Sequence, residues 1–143
     1  MVNSLTKALA LALALSPTAL AGWDPVTRSD VVCTSCTPGD AIWAPDDGDW
    51  PDTFCNELLD KCKGDPGKGV QKGFGGPFVG WAPETDDADN CPQDHQTCKN
   101  ALSATFGGCA GNVVGRSSTI KNGGKEVGAL IITGVCLTLP GPP

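Results

Sequence analysis

Apolar residues recur in this chain at several spacings, and each spacing predicts a different element. Cys55, Leu58, Leu59 and Cys62 stand at i, i+3, i+4 and i+7, which predicts a helix capped by Asp52 and stopped by Gly64. A second stripe of Cys98, Ala101, Leu102, Thr105 and Phe106 predicts another helix, with Pro92 in its first turn and Gly107-Gly108 at its end. Two β-rich segments, Asn112 to Ile120 and Val127 to Leu139, flank Lys121-Asn122-Gly123-Gly124. Asn-Gly supplies the positive φ that a tight hairpin turn requires. The consecutive apolar residues Leu130, Ile131 and Ile132 place the second of these strands centrally, covered on both faces. Shorter strands are predicted at Val31-Val32, Ala41-Ile42-Trp43 and Phe78-Val79-Gly80-Trp81, the last interrupting a long Gly/Pro/Asp loop from Gly64 to Asn90. The tail Pro140-Gly141-Pro142-Pro143 cannot continue a strand. The predicted fold is α+β, a disulfide-stabilised two-layer sandwich of two helices packed on a small antiparallel sheet.

The apolar run at the start has a different meaning. Residues 1–21 carry Lys7 as their only charge, then alternating Ala and Leu from Ala8 to Leu15, then Pro17 and Ala19-Leu20-Ala21. This is the pattern of a secretory signal peptide, with cleavage expected after Ala21. The run is too short to span a bilayer, and no later segment approaches the roughly 20 apolar residues that a span needs. The expected mature chain is a single cysteine-rich secreted domain, residues 22–143, working outside the cell.

Composition sharpens that expectation. With 19 Gly and 12 Pro among 143 residues, turns are many and the apolar core is small, while eight cysteines offer a covalent substitute. Cys33, Cys36, Cys55, Cys62, Cys91, Cys98, Cys109 and Cys136 are all expected in disulfides. Seven residues of helix rise about 10.5 Å, whereas bonded cysteines keep their Cα atoms within about 7 Å. Cys55 therefore cannot bond Cys62, and the same spacing favours separate partners for Cys91 and Cys98. Helix cysteines are expected to bond the sheet, with Cys136 in its central strand.

Without the leader, nine basic residues face sixteen acidic ones, a net charge of −7. Such a chain is repelled by phosphate backbones and anionic lipid, so nucleic acid is not expected as a partner. The charge is uneven: residues 40–94 hold thirteen acids against four lysines, while residues 95–143 hold Lys99, Arg116, Lys121 and Lys125 against Glu126 alone. If a partner binds, Arg116, Lys121 and Lys125 of the hairpin are the candidate contacts, facing an acidic surface component of a host or competitor, protein or glycan. A monomer is expected.

Reactive chemistry is sparse. Cys33-Thr-Ser-Cys36 has redox spacing, but Pro38-Gly39 follows where a helix would have to begin. No second Cys-X-X-Cys or paired His supports zinc, and no cofactor is implied. His95, the one histidine, lies beside Asp94 as in secreted phospholipases but in reversed order, and no Gly-X-Ser-X-Gly elbow is present. A partly buried structural histidine fits better than a catalytic one. The run Asp46-Asp47-Gly48-Asp49-Trp50-Pro51-Asp52 lacks the closing Glu of an EF-hand. Together with Trp43 and Trp81, this Trp/Asp-rich region 43–52 is the alternative site, as a carbohydrate or wall-binding surface or a small hydrolase built on two carboxylates.

From Cys98 to Cys136 the sequence runs CKNALSATFGGCAGNVVGRSSTIKNGGKEVGALIITGVC. A helix beginning with Cys, a Gly-Gly-Cys stop, a Gly/Ser strand, an Asn-Gly-Gly turn and a Gly-led apolar strand resemble the C-terminal half of fungal killer-toxin-like secreted proteins and related cysteine-rich effectors. That resemblance implies a compact disulfide-bonded sandwich and a non-enzymatic effector or antagonistic toxin. The chain lacks the cysteine-dense start of the smut-type killer toxins, and the absence of Cys-Cys doublets excludes the hydrophobins.

Overall fold

The computed structural model describes residues 22–35, 41–43, 49–73, 78–109 and 113–137, with the backbone alone at residues 41–43, 89 and 135–137. The leader at residues 1–21, Cys36, Asp46 to Gly48 and the Pro140 to Pro143 tail lie outside them. Two helices pack on an antiparallel five-stranded sheet, giving the α+β sandwich that the apolar pattern predicts.

The strands are β1 (Val31–Ser35), β2 (Ala41–Trp43), β3 (Val70–Gly73), β4 (Phe78–Pro83), β5 (Val113–Asn122), β6 (Lys125–Thr133) and β7 (Val135–Leu137). The sheet order is β1-β5-β6-β4-β3, so β6 is central, as its apolar run requires. Leu130 and Ile132 face the helices and are fully buried, whereas Ile131 on the opposite face is partly covered. The β5–β6 turn has positive φ at Gly123 and Gly124, 59° and 81°, rather than at Asn122. β3 pairs with β4, so part of the expected long loop is a hairpin. The segment after β6 also departs from expectation. The Gly134 amide still donates to the Val114 carbonyl at 2.6 Å in the β5–β6 register, but beyond it β7 pairs with β2 as a separate two-stranded sheet. Cys136 therefore lies outside the central strand.

Helix α1 (Trp50–Gly64) starts one turn earlier than Asp52 implied, at Asp49, whose carbonyl accepts from the Thr53 amide at 2.8 Å. Helix α2 (His95–Gly107) starts beyond Pro92, because the Asp94 carboxylate accepts from the Thr97 amide at 2.7 Å. That bond to its charged form holds the Asp94 carboxyl below the usual range. Cys98, Ala101, Leu102 and Thr105 are buried as the stripe predicts, but Phe106 is 36% exposed. Thr105 donates to the Ala101 carbonyl and shares a 2.6 Å hydrogen bond with Ser118 of β5, so these two buried hydroxyls are satisfied.

Three disulfides among the described residues fasten these layers. Cys55–Cys98 joins the two helices, Cys62–Cys91 joins the end of α1 to the approach to α2, and Cys33–Cys109 joins β1 to the segment after α2. Cys55 and Cys62 have separate partners, as do Cys91 and Cys98, in accord with the helical rise. The expected helix-to-sheet bonding is corrected. The apolar stripes of α1 and α2 face each other as well as the sheet, which puts Cys55 opposite Cys98 at a Cα separation of 5.8 Å. Cys33 bonds Cys109 and not its near neighbour Cys36, so Cys33-Thr-Ser-Cys36 is no redox pair.

Candidate functional site

The sequence-selected cations occupy two separate places. Lys121 and Lys125 flank the β5–β6 turn, while Arg116 lies five residues up β5 from Lys121, opposite Ile132 of β6 and Cys33 of β1. At about 3.3 Å per residue this separates Arg116 from the turn by roughly 15 Å or more.

At the turn, the N-terminal segment supplies carboxylates that the local charge count omits. Asp24 accepts from the Gly123 and Gly124 amides at 3.0 and 2.7 Å, while its own amide donates to the Lys121 carbonyl at 2.6 Å. Asp30 takes the Lys121 ammonium at 2.6 Å. The ammonium, with the hydroxyl and amide of Thr27, holds the Asp30 carboxyl far below the usual carboxylate range, and the same contact raises Lys121. The basic balance of the last third of the chain is thus largely neutralised at this turn. Lys125 remains exposed beside exposed Glu126.

The direction of these shifts sets a pH dependence. A depressed carboxyl contributes stability above its unfolded pKa of about 4 and loses it as pH falls. A raised lysine contributes below its unfolded pKa of about 10.4 and loses that contribution as pH climbs past it. The wild type should therefore exceed Asp30→Asn in urea midpoint at pH 7, with the gap narrowing steadily from pH 4 to pH 2. A gap independent of pH would remove the ion pair as its cause.

Arg116 is in a different environment. It projects from the helix-facing side of β5, and its guanidinium carbon sits 4.4 Å from the centre of the Phe106 ring. Phe106 in turn lies 6.3 Å from the Trp50 ring at the start of α1. Burial pushes the guanidinium pKa down. Its Nε is buried without a hydrogen-bond partner, and no carboxylate among the described residues pairs with it. The described lysines at 61, 63, 72, 99 and 121 all have carboxylate partners. Sequence reading selected Arg116 by charge but assigned Phe106 to the core. Phe106 lies at the edge of its apolar stripe, which is the signal that it could reach the surface.

His95, partly buried in the first turn of α2, lies 3.5 Å from Asp52, which also binds Lys99 at 2.9 and 3.1 Å. Lys99 and Asp52 thus form an interhelical ion pair with the His95 ring beside it. Trp81 is buried against Trp23 at 4.7 Å and offers no open face to a sugar ring, whereas Trp50 is half-buried beside Phe106, and the Trp43 side chain and Asp46 to Gly48 of the same region lie outside the described residues. A groove of about 440 Å³ runs between the N-terminal segment and α2, with Trp23, Pro25 and Val26 on one wall and Thr97, Asn100 and Ala104 on the other. Its one charged lining residue is Asp24, whose carboxylate is already engaged by the Gly123 and Gly124 amides. Among the described residues, no group of three or more His, Cys, Asp or Glu is arranged to hold a metal, and no helix is long and apolar enough to cross a membrane.

Scans against protein-family models, curated proteins and solved structures find no match to this chain.

Proposed function

We propose that this is a secreted binding protein acting outside the producing cell, as an effector or killer-toxin-like antagonist directed at a surface component of a host or competitor. The observation that carries this reading is the covalent frame. Three disulfides tie the edge strand, both helices and the segments flanking α2 into one unit, a construction that forms and persists in oxidising compartments. The leader-like pattern at residues 1–21 and the resemblance over residues 98–136 support the same assignment.

The test is direct. Protein recovered from the culture fluid of its natural source should begin at Gly22, contain no titratable thiol, and inhibit or provoke a response in target cells at a concentration where the reduced, alkylated protein does nothing. Intracellular retention with free thiols would refute the assignment. Co-sedimentation with chitin, glucan or cellulose without any effect on cells would favour the wall-binding alternative.

A further inference from the structure

We infer that Arg116, Phe106 and Trp50 form the contact site for a protein partner, and that the site takes a carboxylate flanked by apolar side chains. This rests on the binding role proposed above and specifies its chemistry.

Arg116 is partly desolvated in a chain with excess carboxylates, yet none among the described residues is placed beside it. A guanidinium withdrawn from water without a counter-ion is costly unless a ligand supplies the charge. Its guanidinium carbon lies 4.4 Å from the Phe106 ring centre, a cation–π contact that holds the fork beside an apolar surface, and such a fork suits planar, two-point carboxylate recognition. Arg and aromatic side chains are also the residue types that dominate binding energy at protein interfaces. The frame around them is held in place: Cys33, the register partner of Arg116, is bonded to Cys109 just beyond α2, and Phe106 and Trp50 belong to helices joined by Cys55–Cys98.

The chain's negative charge narrows the choice of partner. A polyacidic surface is repelled at long range, so the complement is a single Asp or Glu side chain with apolar neighbours. The apolar neighbours rest on the aromatic rings while the carboxylate meets the guanidinium. Lys121, neutralised by Asp30, lies outside this site.

Arg116 and Arg28 are the only arginines, so ¹⁵N-labelled protein 22–143 gives two side-chain Nε–H signals and Arg28 serves as an internal reference. The probes are a capped pentapeptide with one Glu between pairs of Leu, the same peptide with Gln, and sodium acetate. The Glu peptide should shift the Arg116 signal and the Phe106 ring protons while leaving Arg28 unmoved. The Gln peptide should bind about tenfold more weakly or worse, the loss expected for one charge-assisted bond. Arg116→Lys, which keeps the charge and loses the fork, should weaken the Glu peptide several-fold at unchanged thermal stability. An unmoved Arg116 signal, equal binding of Glu and Gln peptides, or acetate binding as tightly as the peptide would overturn the inference. Unaltered action of Arg116→Gln on target cells would remove this site while leaving the extracellular role intact, whereas failure of secretion would remove the role itself.

Discussion

Replacing Cys55 and Cys98 together by alanine will lower the unfolding free energy by about 4 kcal/mol, the loop-closure entropy returned when a bridge spanning 43 residues is removed. Typical domains have about 5 to 15 kcal/mol in total, so this one change removes a large share of the stability. Both sulfurs are fully buried between α1 and α2, where Phe54, Leu58 and Leu102 complete the same layer. The melting temperature should fall on the order of 15 °C for a domain of this size. Urea titration of the double variant and wild type, both under non-reducing conditions, measures the difference. A loss below about 1 kcal/mol would show that packing alone holds the helices together.

The second large effect is expected at Gly128, on the helix-facing side of the central strand. A Cβ there would lie 2.4 Å from the Trp81 ring and 2.5 Å from the Ala82 carbonyl. The carbonyl belongs to the backbone of β4 and cannot swing away, and Trp81 is clamped between Gly128 and Trp23. Gly128→Ala should therefore cost about 3 kcal/mol through overpacking. It should also perturb the near-ultraviolet circular dichroism of the Trp23–Trp81 pair. Gly73→Ala in β3, where an added Cβ meets nothing within 4 Å, is the matched control and should change stability by less than about 0.5 kcal/mol. Equal effects at the two positions would disprove the steric account.

Gly128 also illustrates how much of the molecule was legible in advance. The sequence pattern located the strand around it, the central placement of that strand, the glycine turn before it and both helices, because each has a periodicity or a stop signal of its own. It did not locate β3, whose Val70-Gln71-Lys72-Gly73 has no apolar alternation and is a strand by virtue of pairing with β4. Nor did it separate β7 from β6, since what sets β7 apart is its pairing with β2, more than ninety residues earlier. The limits at the candidate site have the same origin. Counting charge along the chain selected Arg116, Lys121 and Lys125 as equals, but Asp24 and Asp30 arrive from roughly a hundred residues earlier and neutralise the turn. Arg116 differs because the neighbour that folding brings to it is an aromatic ring. Such differences are set by tertiary contacts and leave no local trace.

The position of β1 beside β5 has a consequence for the order of events during biogenesis. The first strand has its hydrogen-bonding neighbour some eighty residues downstream, and β4 docks on β6, later still in synthesis. A nascent chain that has not yet emerged as far as Thr133 lacks the strand on which both halves of the sheet assemble. Closure must therefore follow translation through Thr133, and sheets dominated by such distant partners fold over about milliseconds to seconds. Until then Trp23 and the N-terminal segment remain unanchored and open to chaperones or proteases.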